Sequence, residues 1–386
     1  GVPGSGKTLA GLNLATGTIF EGDDPHGVFL SGNGPLVTVL REALALDEVE
    51  TAEERGEVLR IGDARRRAST FIQNVHHYRD EALQTDQPLS GRIVVFDEAQ
   101  RAWDEKRTTQ FVAERHGVQD FGMSEPAFLL SAMDRHEDWC VVVCLVGNGQ
   151  EINRGEAGIG EWFRALDASE SEWEIWYSPR FEQDEPAEDL GPLPEGVVKP
   201  ALHLDVSVRS FRAESMSAFV GAVLDGDADN ARAISHDLDQ YPTVLTRNLG
   251  RAREWLRAKA RGGERFGLVA SSNALRLKPE GIHVKADISE KHWFLYGPED
   301  VRSSFMLEDA ASEFEVQGLE LDWVAVCWDA NLRRVDDDWS THRFRGTRWV
   351  AANPPRREHL INSYRVLLTR ARQGLCVFVP RGDEHD

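Results

Sequence analysis

Short apolar runs separated by polar, helix-patterned stretches fill the first half of the chain. Residues 28–30, 92–96 and 139–146 read as buried strands, and each ends where polar residues begin. Between them the apolar spacing predicts helices over 35–46, 70–83 and 108–116. Strands that alternate with helices imply a parallel sheet with helices packed on its faces. A stretch rich in acids, prolines and glycines, 181–200, interrupts this rhythm. Beyond it the alternation resumes, with strands expected at 266–270, 323–328 and 375–380. Helices are expected there at 216–224, 249–261 and 361–372. The pattern therefore predicts an α/β chain of two tandem domains, 1–185 and 201–386, joined by a linker at 186–200.

Composition narrows the class without changing this picture. A length of 386 residues holds two or three domains, and 41% hydrophobic with 28% charged residues suits a globular chain. The longest apolar run, 140–146, is far too short to span a membrane, so no membrane partner is expected. A net charge of -21 argues against attachment to nucleic acid by bulk electrostatics. Locally the balance reverses: residues 341–373 contain eight arginines against one acid, Glu358. That segment is either a solvated basic face or a phosphate-facing one. Cys140, Cys144, Cys327 and Cys376 sit in strand-like runs without metal-ligand spacing. They read as buried thiols of a reducing, cytoplasmic setting.

The chemistry begins at the first residue. Gly1-Val2-Pro3-Gly4-Ser5-Gly6-Lys7-Thr8 is a complete phosphate-binding loop. Gly1, Gly4 and Gly6, with Ser5, let successive backbone N–H groups turn toward phosphate oxygens. Lys7 would reach the terminal phosphates, and the Thr8 hydroxyl would ligate Mg²⁺. A helix following the loop would face the same anion with its N-terminus. A loop of this kind needs a buried strand ahead of it, which predicts further chain upstream and leaves room there for a fused effector domain.

Residues 92–96 then deliver Asp97-Glu98-Ala99-Gln100. Asp97 reads as the second metal ligand and Glu98 as the base that orients the attacking water; the plainer alternative is an acidic turn after a core strand. The turn Gly147-Asn148-Gly149-Gln150 follows the next strand, with Gln150 where a γ-phosphate sensor would sit. The run 362–372 patterns as a helix whose Arg370 can point away from the core, either as a solvated arginine or onto a transferred phosphoryl group. Trp162, Phe163, Trp293 and Tyr296 are candidate stacking platforms for bases, against the ordinary expectation that large aromatics are core. His76 and His77 read as a surface pair on a helix.

The order of these motifs, continued by Glu315-Val316-Gln317-Gly318-Leu319-Glu320-Leu321-Asp322 and Tyr364-Arg365-Val366-Leu367-Leu368-Thr369-Arg370-Ala371-Arg372, resembles superfamily 1 helicases. Together with Phe29-Leu30-Ser31-Gly32-Asn33-Gly34-Pro35 and Gln150-Glu151-Ile152-Asn153-Arg154-Gly155, it resembles most the Schlafen group 3-like DNA/RNA helicase domain, a bacterial family of P-loop proteins. The resemblance implies two RecA-like domains with ATP and Mg²⁺ between them, and single-stranded DNA or RNA as partner. It makes Arg370 the arginine finger, gives Arg209 (with Arg212 a close rival) the fourth-motif arginine, and places Gly318 and Glu320 in the fifth motif. The segment 31–35 would touch the nucleic-acid backbone. The third motif departs from the commoner Gly-Asp-x-x-Gln, and neither domain carries a large insertion. The implied function is ATP-driven translocation or unwinding; the alternative is an ATP-dependent switch that regulates a fused effector or a protein partner without unwinding.

Overall fold

A computed structural model of the chain describes residues 5–17, 27–118, 120–147, 157–179, 194–204, 211–238, 241–336 and 338–382. Gly1, Gly4, Gln150 and Arg209 fall outside them, as does the side chain of Arg212. The chain divides into two compact units, Gly1–Val208 and Arg209–Asp386.

The first unit is built on a four-stranded parallel sheet of order β2-β1-β3-β4. Its strands are β1 (Val28–Ser31), β2 (Ile72–Asn74), β3 (Ile93–Asp97) and β4 (Val141–Cys144). Helices α1 (Lys7–Thr16), α2 (Gly34–Glu54), α3 (Ile61–Phe71), α4 (Val75–Ala82), α5 (Glu105–His116), α6 (Glu125–Met133) and α7 (Gly160–Asp167) accompany it. Alternate strand residues feed two cores, as a pleated sheet covered on both faces requires. Val28, Leu30, Val94 and Phe96 pack with Phe128, Leu129 and Trp162, while Phe29 and Val95 pack with Ala15 and Val37.

The helix expected over 70–83 is interrupted. Ile72, Gln73 and Asn74 pair with Phe29, Leu30 and Ser31 as a strand. Asn74 then starts α4 by accepting the His76 N–H at 2.9 Å, an N-cap that a continuous helix has no use for. Of the linker expected at 186–200, residues 186–193 lie outside the described residues; Val197–Val198 forms β6, which pairs in parallel with β5 (Trp176–Tyr177).

The second unit has a five-stranded parallel sheet of order β7-β14-β10-β8-β9. It comprises β7 (Thr243–Thr246), β8 (Phe266–Ala270), β9 (Ala310–Ala311), β10 (Leu321–Cys327) and β14 (Ala371–Phe378). Its helices are α8 (Phe211–Asp225), α9 (Ala228–Ser235), α10 (Leu249–Lys259), α11 (Glu290–Leu295) and α12 (Pro354–Leu368). Between β10 and α12 the chain forms a separate antiparallel sheet of β11 (Leu332–Val335), β12 (Asp338–Arg345) and β13 (Arg348–Ala351), which the hydrophobic pattern did not predict.

The helix expected to carry Arg370 stops at Leu368. The Thr369 hydroxyl donates back to the Arg365 carbonyl at 2.8 Å, and Ala371 enters β14 opposite Leu321. Pairing with β10 thus takes residues that helical periodicity assigned to one more turn. Two parallel α/β units in tandem are what the sequence led one to expect. Among the described residues no helix is long and apolar enough to cross a membrane. All four cysteines are free; Cys327 and Cys376 are buried as expected, but Cys140 and Cys144, on or beside edge strand β4, are half-buried.

Candidate functional site

From β1 the chain crosses to β2 on one side, and from β3 to β4 on the other. Such a reversal opens a crevice beyond the carboxyl ends of β1 and β3. Ser31 and Asp97 are register partners there, and Asn74 lies opposite Ser31 on the other side. Two helices begin beside them. Asn33 caps α2 by accepting the Leu36 N–H at 3.3 Å, and Asn74 caps α4.

A third helix, α1, starts differently. Its N-cap is Gly6, held at φ 78°, with no capping side chain and no acid in the first turn. A helix start with neither a capping side chain nor an acid suits an outside anion at the helix N-terminus. Ser5, just before, is buried and its Oγ has no partner. The Thr8 hydroxyl donates to Asp97 Oδ2 at 3.3 Å.

Asp97 is buried at the end of β3, with Glu98 following it. Burial, and then the charge of Glu98, push its carboxyl up to about 7, against the opposing pull of the Thr8 hydroxyl and Lys7. Glu98 occupies the left-handed region at φ 54°, unfavourable for a side chain with a Cβ. Several bonds hold that geometry. Ala99 N–H donates to Leu145 O at 2.9 Å, and Trp162 Nε1 donates to Ala99 O at 2.9 Å.

Gln100 ties the segment to the loop after β4. Its Nε2 donates to Glu98 Oε2 at 2.5 Å and to Gly147 O at 2.7 Å, while its Oε1 accepts the Gly147 N–H at 3.3 Å. Gly147 is where Lys7 and Glu98 meet. A Cβ placed on it would lie 3.1 Å from Lys7 Cε and 3.3 Å from Glu98 Oε2. The sequence alone points to no separate task for Gln100 or Gly147. The available signal was their position, directly after Glu98 and directly before Asn148.

The oxygen donors Thr8 and Asp97 suit a hard cation that keeps most of its ligands as water and phosphate oxygens. Among the described residues no group of three or more His, Cys, Asp or Glu side chains could hold a metal, so no all-protein metal cage competes with this reading. An unpartnered Ser5 hydroxyl, an uncapped helix start and two crowded carboxylates together fit a phosphate-bound divalent ion.

In the second unit the family-suggested residues converge on a different edge, the amino ends of β10 and β14. Gly318 takes φ 76° in the turn before β10. Glu320 is half-buried, with a carboxylate oxygen 3.9 Å from Arg372 Nε. Arg370 is buried; its carbonyl accepts the Leu321 N–H at 3.1 Å, and its Nε donates to Val366 O at 3.0 Å. Gly318, Glu320 and Arg370 are thereby brought together.

The aromatic candidates are mostly core. Trp162 and Phe163 pack under β3, and Trp293 is 1% exposed, its Nε1 donating to Asp309 O at 3.3 Å. Only Tyr296 is half-buried, tilted against His292 at 4.7 Å. His76 is also not a surface residue: it packs on Trp103 at 4.5 Å and its Nδ1 lies 3.1 Å from Arg79 Nη2.

Comparison with known proteins bears on the whole chain. The family described as Schlafen group 3, DNA/RNA helicase domain, matches residues 1–381. No curated protein matches. Among solved structures the chain is similar to the crystal structure of the Pyrococcus furiosus Hef helicase domain, at 11% identity and TM-score 0.27, with 100% of this chain and 92% of that one covered.

Proposed function

The chain belongs to the Schlafen group 3 DNA/RNA helicase domain family, and from that premise we propose that it binds and hydrolyses ATP with Mg²⁺ and acts on single-stranded DNA or RNA. The observation that carries this reading is the meeting of Lys7 and Glu98 at Gly147 together with the Thr8–Asp97 hydrogen bond.

Lys7 and the amino-terminal N–H groups of α1 neutralise and orient the terminal phosphates. Thr8 and Asp97 would hold the ion, which when bound would draw charge from the phosphate oxygens. Burial, and then Glu98, hold the Asp97 carboxyl up to about 7, where it would release its proton readily on ligating the ion, with Lys7 and the Thr8 hydroxyl favouring the charged form. Glu98 orients the attacking water and takes its proton, and Gln100 keeps Glu98 in its strained backbone position against the Gly147 loop. Gln150 serves as γ-phosphate sensor. Arg370 stabilises charge on the transferred group, a contribution on the order of 10³–10⁵ in rate where such arginines act. Arg209, Gly318 and Glu320 complete the set that couples turnover to nucleic acid.

The test is ATP turnover by the longest soluble form of the protein, with and without single-stranded DNA and RNA. Turnover should rise with one of them and vanish in Glu98→Gln. Turnover that neither nucleic acid stimulates would sink the translocase reading in favour of the ATP-dependent switch.

A further inference from the structure

The antiparallel sheet between β10 and α12 carries charge that the rest of the second unit does not explain. One end is anchored. Trp339 Nε1 donates to Val223 O at 3.1 Å, its ring lies 5.8 Å from that of Trp328, and Thr341 and Leu332 are buried as register partners. The other end is the β12–β13 hairpin, closed by Gly346 and Thr347, with Gly346 at φ 59°. A glycine at positive φ in the first of two central positions makes a tight turn that fixes the register.

That register sets Arg345 directly opposite Arg348, and Arg343 opposite Val350. By strand alternation Arg343, Arg345, Arg348 and Val350 share one face, while Phe344 and Trp349 share the other. The aromatic face is engaged within the unit: the Phe344 and Trp349 rings meet at 5.2 Å, with Arg276 5.1 Å over Phe344 and Arg333 4.9 Å over Trp349. The arginine face is not. Arg345 and Arg348 are exposed and Val350 is 38% exposed. Among the described residues no ion pair involves Arg343, Arg345 or Arg348, whereas Arg357 and Arg365 are paired with Asp338 and Asp225.

Like charges directly across an antiparallel pair destabilise it. Here two face each other, a third lies two residues along the strand, and residues 341–352 contain no acid. A chain with net charge -21 has acids to spare, so their absence from this tip is a local conflict of the kind found at functional sites.

We propose that the Arg343–Arg345–Arg348 face of the hairpin is a docking surface for the phosphodiester backbone of single-stranded nucleic acid. The three guanidiniums supply fork-shaped donors to phosphate, and alternate residues along β12 stand about 7 Å apart. That repeat is of the order of the spacing between successive phosphates in an extended strand. Binding relieves the mutual repulsion that the free hairpin carries. The proposal rests on nucleic acid being the partner, but it does not require ATP hydrolysis.

The test measures binding of fluorescent oligo-dT and oligo-U without nucleotide, over a salt series, for the wild-type chain and for the triple variant Arg343→Gln, Arg345→Gln, Arg348→Gln. Losing three phosphate contacts should lower the slope of log K against log salt by about 2, which is about a hundredfold weaker binding at 0.1 M salt. Arg357→Gln, which removes a paired arginine, should leave the slope unchanged. Arg345→Gln alone should hold or raise the thermal midpoint, showing that the hairpin folds and that the repulsion is real. An unchanged slope in a triple variant that still binds overturns the proposal, whatever the ATPase result. So does a wild-type chain that binds neither oligonucleotide. Equal competition by polyglutamate of the same charge overturns it in favour of an acidic protein partner.

Discussion

Adding one methyl group at Gly147 tests the site where its parts meet. The new Cβ of Gly147→Ala would stand 3.1 Å from Lys7 Cε, 3.3 Å from Glu98 Oε2 and 3.4 Å from Lys7 Nζ. The first two contacts are tighter than carbon ordinarily tolerates, and both neighbours are ends of flexible side chains. The fold therefore survives, while Lys7 and Glu98 each give way by a few tenths of an ångström. A misplacement of about 1 Å can lower turnover by roughly 10²-fold, so a shift of about half that size should lower it about tenfold, or about 1.4 kcal/mol in the barrier. Single-turnover ATP hydrolysis reads the loss, nucleotide binding separates the Lys7 contribution from that of Glu98, and thermal unfolding checks the fold. Gly62→Ala is the control: a Cβ there meets nothing within 4 Å, and helix propensity should make it neutral or slightly stabilising. Wild-type turnover by a folded Gly147→Ala protein would refute the claim that this glycine is the contact point of Lys7 and Glu98 in the proposed site.

Two further substitutions probe strain and burial. Glu98→Gly and Glu98→Gln should both abolish hydrolysis, yet the glycine variant should be the more stable by about 1 kcal/mol, because it removes the left-handed backbone penalty at φ 54°; equal denaturant midpoints would show that the position is not strained. Burial first, and then Arg79, hold the His76 imidazole down to about 4, with Arg107 and His77 adding to this and Asp80 opposing it. The unfolded chain therefore takes up a proton near 6.5 that the folded one refuses, and stability is lost as pH falls from there toward 4. Urea unfolding should show about 2 kcal/mol less stability at pH 5 than at pH 8 from this group, and His76→Gln should remove that part of the decline.

What the sequence made legible depended on whether local signals and tertiary pairing agreed. That Thr8 and Asp97 would lie together was readable because the two segments come in a fixed order and each position has its own chemical requirement. The positions that join them were not, since the task of Gln100 exists only once β3 and β4 are neighbours and Gly147 lies beside it. Helical periodicity failed at Ile72 and at Ala371 for one reason: pairing with neighbouring strands took residues that would otherwise have continued a helix. In the first case Asn74 was an available warning, as a capping residue inside an expected helix. The β12–β13 hairpin was hidden because its arginines obscured the period of two, although Gly346 between two short alternating runs was the signal to use. The tasks of Gln150 and Arg209 fall outside the described residues and stay with the family resemblance.

The parallel sheet of the second unit also separates two kinds of chemistry along one strand. Glu320 and Arg370 stand at the amino end of β10, while the chain that leaves its carboxyl end at Cys327 runs directly into β11 and the arginine hairpin. Six residue steps of about 3.3 Å put those ends about 20 Å apart. Sites farther apart than about 10 Å that share no partners add their effects instead of coupling. Loss of the hairpin arginines should then change how tightly a strand is held without changing how Arg370 is seated, because Arg370 is fixed locally by Val366 and Leu321. The reverse holds as well: the bond from Arg370 Nε to Val366 O is internal to the end of α12, and nothing in it depends on the hairpin tip. On the proposed reading, the hairpin's grip on a nucleic-acid strand and the role of Arg370 toward a phosphoryl group can thus be altered one at a time.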